Sequence, residues 1–320
     1  MELVFAHQVG FEQLNNRRFN YFIAASGYEN RCTYLVDNLV IEADRKIALA
    51  FDDKKDYLYR KKNDRRFADE KFEFIEEPAS SKDNLIKLLN SICSYDHGSD
   101  KISFLIDYSC MSKIWYAAII NYFLSNELRL KNLEVYFSYT SAVFAEPLRP
   151  VKRILLKTPE VLMETSSGSG RPRALIIGLG FEKYLTSRLV EKLEYDRLFA
   201  FYSDPAFDSR YADRVVRNNR KILKKLPSSN IFKFPIEDLK ETDSILTSLV
   251  MRLRLTHHVI ILPVGPKPFT LSSLLLAARY PDIEVWNIDT TYSAPAYNRN
   301  PMGEPKVCKV LFSSEEEIFL

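Results

Sequence analysis

Two lysines stand where an apolar run gives way to a stretch of helical pattern. Residues 105–113 read LIDYSCMSK and continue as IWYAAIINYF, while residues 260–267 read IILPVGPK and continue as PFTLSSLLLAARY. A lysine at a helix start adds a full positive charge to the unpaired N–H groups and the positive dipole end found there, a combination that favours a phosphate or another anion. Taken singly, either lysine reads as a surface residue that begins a helix. Lys113 and Lys267 lie 267 − 113 = 154 residues apart, at matching places in two similar halves, and this recurrence makes both ligand-binding candidates.

Each half also carries a glycine–aromatic–glutamate triplet after its first apolar run, Gly27-Tyr28-Glu29 and Gly180-Phe181-Glu182. Glycine at that place permits a tight turn or a close approach of backbone to ligand. The carboxylates of Glu29 and Glu182 could accept from ribose hydroxyls or an adenine amine, act as a general base, or cap the following helix. Arg31 reads as an ion-pair partner of Glu29; the second half has no matching arginine, although Lys183 is nearby. Asp52, Asp53, Ser203 and Asp204 close the second apolar run of each half. There a solvated turn accounts for them as well as a ribose contact does. Asn63, Asn218 and Asn219 lie in the basic stretches YRKKNDRR and RVVRNNRKILKK, which read as solvated helix faces rather than as an extended nucleic-acid groove.

Other chemistries find little support. Cys32, Cys93, Cys110 and Cys308 form no CxxC pair and the four His show no ligand spacing, so reduced buried thiols are expected, with no metal and no cofactor. GxGxxG is absent, as is GxxxxGK followed by Ser or Thr, which sets aside a dinucleotide fingerprint and a P-loop. No acid–base pair or nucleophile triad stands out, and no catalytic residue is assigned. A net charge of +3 is too small for a nucleic-acid coat or a membrane-surface binder. The absence of a basic-then-apolar leader and of any long apolar run predicts a cytoplasmic protein without a membrane partner.

The elements that must hold these residues repeat. Six segments recur in the same order at offsets of 151 to 160 residues, among them IALAFDD (47–53) against LFAFYSD (198–204) and PVKRILL (150–156) against PKVCKVLF (305–312). A tandem duplication is the expectation, with units at 1–158 and 174–320 and a flexible Ser/Gly-containing linker at 159–173. In the first unit, strands are expected at 21–26, 46–51, 71–75, 102–107 and 132–138, and helices at 30–41, 56–70, 83–94 and 113–127. Runs apolar throughout, such as ISFLI and VIILPV, suit parallel strands covered on both faces. The fold class is α/β, two Rossmann-like doubly wound units with mainly parallel sheets.

Asp107-x-Ser109-x-Met111-x-Lys113 resembles the D-x-S/T-x-G-x-K signature of CARF domains, the CRISPR-associated Rossmann-fold sensors, and Gly265-x-Lys267 fits its last two positions. Met111 stands for the glycine of the first motif, and Ile261 and Pro263 for the acid and hydroxyl of the second. The resemblance adds Asp107, Ser109 and Gly265 to the ligand-binding candidates and implies a cyclic oligonucleotide or other nucleotide bound in a cleft between two such halves, as in the SAVED relatives that fuse two units. It further implies a role in prokaryotic antiviral defence. Two units use up the chain, so a separate effector protein is expected; self-association is left open. The alternatives are an enzyme acting on a nucleotide in the same cleft, with Ser109, Tyr108 or Glu29 positioning the attacking group, and a structural subunit of a defence complex.

Overall fold

The structure, a computed structural model, describes residues 1–95, 101–125, 130–146, 160–163, 170–181, 185–288 and 298–314. The chain forms two compact units: Met1–Val143 together with Tyr297–Leu320, and Phe144–Ala296.

The first unit runs β1 (Glu2–Val9), β2 (Arg18–Ser26), α1 (Tyr34–Asn38), β3 (Glu42–Phe51), α2 (Arg60–Asp69), β4 (Glu73–Glu77), α3 (Asp83–Ser94), β5 (Lys101–Asp107), α4 (Lys113–Ser125) and β6 (Asn132–Ala142). The second runs β7 (Glu160–Met163), β8 (Arg173–Gly178), α5 (Leu185–Lys192), β9 (Arg197–Ser203), α6 (Ser209–Asn218), α7 (Arg220–Leu223), β10 (Ile231–Phe234), α8 (Leu239–Leu253), β11 (His258–Pro263), α9 (Lys267–Arg279) and β12 (Ile283–Asn287). The chain then returns to the first unit as β13 (Pro301–Ser313).

Among the described residues the first sheet has the order β1-β13-β6-β5-β2-β3-β4 and the second β10-β9-β8-β11-β12-β7. Five consecutive strands in each, β4-β3-β2-β5-β6 and β10-β9-β8-β11-β12, are mutually parallel. Numbered along the chain within each unit, both sets read 3-2-1-4-5, the Rossmann order up to its fifth strand. Both units are therefore Rossmann-like α/β domains, as expected.

Strand alternation explains the two covered faces. In the first unit Phe22, Ala24, Ala48 and Leu105 pack with Cys32, Leu35 and Phe67 from the β2–α2 region. The opposite face carries Phe104 against Phe123 of α4, and Phe51 stacks on Trp115 at 4.4 Å. In the second, Leu175, Ile177, Ala200 and Leu262 meet Leu185, Leu189 and Val215, while Phe201 and Phe234 meet Phe269 of α9 on the other side. α4 and α9 are apolar nearly all round, and residues 114–120 and 268–277 are buried. Such helices belong in a core.

Three expectations are corrected. Residues 305–312 do not close the second unit: β13 pairs antiparallel with both β6 and β1 in the first sheet. Its alternation buries Cys308, Val310 and Phe312 on one face, Val307 is buried on the other, and its ladder leaves no free edge on β6. PVKRILL, its expected counterpart, lies outside the described residues. Residues 160–163, assigned to the linker, form β7 antiparallel to β12, with Leu162 and Met163 buried. The helix expected at 30–41 is a 3-10 turn, Asn30–Thr33, followed by the short α1. β1 carries no strong period-2 signal because it is a half-exposed edge strand. Among the described residues no helix is long and apolar enough to cross a membrane.

Candidate functional site

The strand order reverses between β2 and β5 in the first unit and between β8 and β11 in the second, and ligands of open α/β sheets sit beyond the carboxyl ends of strands at such a switch point. The loops that flank these two points carry the residues picked out by sequence. Gly27 and Glu29 follow β2, and Tyr108 to Ser112 lead into Lys113, the first residue of α4. Gly180 follows β8, and Gly265 leads into Lys267, the first residue of α9. Both lysines are partly exposed. Glu182 lies outside the described residues, as does Lys183.

Around Glu29 the first unit gathers charge. Glu29 sits at the N-terminal cap position of the 3-10 turn, where its carbonyl accepts the Cys32 N–H at 3.2 Å but its side chain makes no cap bond. Its Oε2 accepts from Arg31 Nε at 2.6 Å, and Cys110 Sγ lies 3.8 Å away as a donor. Its Oε1 lies 3.7 Å from Nε of Arg299, in the segment just before β13. Arg31, only 1% exposed, donates from Nη1 to the Thr140 carbonyl at 2.7 Å and to the Tyr139 hydroxyl at 3.3 Å. Burial opposes the Arg31 charge, but Glu29 and Tyr139 outweigh it and hold the guanidinium well above its ordinary pKa. Burial, with the neighbouring Cys32 thiol and the Glu29 charge, pushes the Cys110 thiol well up, so it serves as a neutral donor.

Asp107 and Ser109 are brought together, but within the protein. Asp107 Oδ1 accepts from the Ser109 N–H at 3.0 Å and from its hydroxyl at 2.5 Å, and Ser109 Oγ accepts from the Thr140 N–H at 2.8 Å. Asp107 is 3% exposed and Ser109 0%. The D-x-S spacing therefore builds an Asx-type turn that ties the β5 loop to β6. Tyr108 is sealed beside them, its ring 5.4 Å from those of Tyr116 and Tyr139, and burial pushes its hydroxyl well above the usual range. None of the three presents an attacking group to solvent.

The second switch point is built differently. Gly265 N–H donates to the Gly178 carbonyl at 2.8 Å. A Cβ on Gly265 would lie 2.6 Å from the Leu179 carbonyl oxygen, and one on Gly180 would lie 3.0 Å from that of Val264. Here glycine permits one loop backbone to lie on the other. At the helix start Pro268 has no N–H to offer, and Phe269 N–H turns back to the Pro266 carbonyl at 3.1 Å. In α4 the Trp115 N–H is met by Ser112 Oγ at 3.3 Å.

Sequence reasoning placed three asparagines on solvated basic faces, and for two of them this is wrong. Asn63 and Asn219 are each 1% exposed. Asn63 Nδ2 donates to the Gly27 and Glu29 carbonyls, both at 2.8 Å. Asn219 Nδ2 donates to the Gly180 carbonyl at 2.8 Å, and Asn218 Nδ2 to the Phe181 carbonyl. In both units an asparagine from the helical segment after the second strand thus clamps the glycine loop after the first. Their similar place within the two basic stretches was the available signal. Arg299 gave none, because its partner is 270 positions earlier in the chain.

The ribose candidates stay at the surface or in turns. Asp53 pairs with Lys54 at 3.4 Å, Asp204 pairs with Lys233 at 2.7 Å, and Ser203 donates to the Pro205 carbonyl at 3.3 Å. No family model matches the chain, and no curated protein matches it in sequence.

Proposed function

We propose that the protein is a ligand-sensing module that binds the phosphates of a nucleotide or cyclic oligonucleotide at its strand switch points, and that it signals to a separate effector in prokaryotic antiviral defence. One observation carries the reading. Two units with the same 3-2-1-4-5 strand order each set a lysine at the first position of the helix after the fourth strand, on one side of the switch point. Helix N-terminus and lysine together favour a phosphate. The common strand order and the paired asparagine clamps also support descent of the two units from one duplicated ancestor.

Binding is preferred to catalysis because two of the three groups a hydrolytic version would use, Ser109 and Tyr108, are fully buried, and the third, Glu29, is engaged by Arg31. Calorimetric titration with cyclic oligoadenylates, cyclic dinucleotides, ATP and NAD, with chromatography of each mixture afterwards, tests the reading. The expected result is heat with the ligand left intact, lost in Lys113→Ala and in Lys267→Ala. A cleaved ligand makes the protein an enzyme, and a folded chain silent across the panel ends the nucleotide reading.

A further inference from the structure

The Arg31–Glu29 pair differs from the complete forks of this chain, and although Arg17 on Glu134 and Arg279 on Asp243 also leave one edge nitrogen unfilled, those arginines are 35% and 28% exposed where Arg31 is 1% exposed. Arg18 meets Asp44 through Nε at 3.0 Å and Nη2 at 2.7 Å, and Arg45 meets Glu73 through Nε at 3.1 Å and Nη2 at 2.7 Å. Arg254 meets Asp282 in the same way, at 2.9 and 2.6 Å. This is the side-on fork, in which two parallel N–H groups share one oxyanion. Arg31 gives Glu29 its Nε alone. Its Nη1 is occupied by Thr140 and Tyr139, and its Nη2 has no hydrogen-bond partner among the described residues.

Covalent geometry makes Nη2 project from the same edge of the guanidinium as the Nε–H, so half of a buried fork is unused. A donor left over at 1% exposure is costly. Closeness along the chain is not the obstacle, since Asp208, also two residues from its arginine, completes the fork of Arg210 at 2.9 and 2.5 Å. Glu29 is also stretched toward Arg299, at 3.7 Å. Its carboxylate lies between two guanidinium groups and leaves the Arg31 fork half filled. At 15% side-chain exposure it is nearer to solvent than Arg31.

We infer that the Glu29 carboxylate is an internal stand-in for an external oxyanion, and that a ligand phosphate displaces it, taking Nε and Nη2 of Arg31 side-on together with Arg299. A phosphate offers enough oxygens to fill the fork and still reach a second guanidinium. Exchange of one anion for another keeps the buried Arg31 charge compensated throughout, which simple loss of Glu29 would not do. The residues beside Arg299 hold the same loop: Asn298 Oδ1 accepts from the Asn30 N–H at 2.9 Å, and Asn300 Oδ1 from Asn30 Nδ2 at 3.1 Å. Asn300 also accepts from the Val143 N–H through its carbonyl at 3.0 Å. Displacement of Glu29 therefore loosens the segment by which the chain re-enters the first unit, and binding acquires a mechanical output. This deepens the sensor reading and rests on it for the nature of the ligand, although the anion site can be tested alone.

The experiment uses the full chain with pyrophosphate and ATP as probes, followed by calorimetry and by thermal melting. Glu29→Gln removes the internal competitor and is expected to bind pyrophosphate at least about tenfold more tightly than wild type. It should also melt lower than wild type without the anion and recover with it. Glu29→Gln combined with Arg31→Gln should lose both the tighter binding and the recovery, and Arg299→Gln should weaken pyrophosphate binding while leaving the fold intact. Equal pyrophosphate affinity in wild type and Glu29→Gln overturns the inference, as does a Glu29→Gln chain that fails to fold and that pyrophosphate does not restore. ATP heat lost in Lys113→Ala but untouched in Glu29→Gln and Arg299→Gln overturns it too, and leaves the sensor reading standing. Tighter pyrophosphate binding in Glu29→Gln, with no nucleotide heat in any chain, supports the anion site and removes the sensor reading.

Discussion

The two switch points occupy the same place in the same strand order and are filled by opposite means. In the first unit, side chains meet there: a buried guanidinium, a carboxylate shared between two arginines, and a thiol held neutral by burial. In the second, backbones meet, with Gly265 and Gly180 removing the side chains that would hold the β8 and β11 loops apart. Topology fixes where a ligand could sit, while side chains decide whether anything there can recognise one. Among the described residues the first switch point holds the larger set of polar side chains, and the second a lysine on a tightly packed frame.

The comparison depends on residues 301–313 belonging to the first unit, and the largest expected effect tests that assignment. Val310 is fully buried in β13, so Val310→Asp places an unpaired charge in the first core and should cost about 4 kcal/mol or more. Hydrogen exchange read by mass spectrometry should lose protection across 18–142 and keep it across 173–288. Protection lost instead in 173–288 would return the C-terminal strand to the second unit.

Next come the switch points themselves. Arg31→Met leaves Glu29 and the Thr140 carbonyl without their buried partner, and urea unfolding should show a loss of about 3–5 kcal/mol. Gly265→Ala forces a Cβ against the Leu179 carbonyl, backbone that cannot turn aside, for about 1–3 kcal/mol. A neutral Arg31→Met would mean that the polar cluster contributes nothing net, and the contrast between the units would fail.

Much of this was legible in the chain and some was not, for physical reasons. Continuous apolar runs such as ISFLI announced buried parallel strands, and α3 falls at 83–94 as its Leu85, Leu88, Leu89 and Ile92 spacing required. The local signal ran out where pairing is remote. β13 matches β6 and β1 across most of the chain, and nothing in PKVCKVLF says which sheet it joins. The lysine junctions were visible because helix starts are local. Arg31 read only as an ion-pair partner of Glu29 because its burial depends on Tyr139 and Thr140, more than a hundred residues away. Asn63 looked solvated because its neighbours are charged, yet a helix in a basic stretch still has one inward face, here Arg60, Asn63 and Phe67.

The asparagine clamps should show where the units agree. Asn63→Ala orphans the Gly27 carbonyl and leaves that of Glu29 only the Cys32 N–H, and Asn219→Ala orphans that of Gly180, so each should lose about 1–3 kcal/mol in urea unfolding. Costs of similar size would support a shared architecture, and a neutral Asn219→Ala would confine the clamp to the first unit.

The smallest effect separates the units by acid. Glu134 on β6 is 5% exposed and meets Lys309 at 2.5 Å, Arg17 at 2.6 Å and Lys101 at 3.6 Å. Burial raises its pKa, but Lys309, Lys101 and Arg17 together outweigh burial and bring it below the ordinary value of 4.5. A carboxyl group whose folded pKa is depressed contributes stability that is complete above its unfolded pKa and is lost as pH falls through the folded one. The first unit should therefore weaken below about pH 4.5, by on the order of 1 kcal/mol or less from this group. Glu134→Gln should remove that part of the pH dependence in the first unit and leave the second unchanged. An acid profile unaltered in both units would show that the cations around Glu134 gain nothing from its charge, and that β13 is held to β6 by its ladder and apolar face alone.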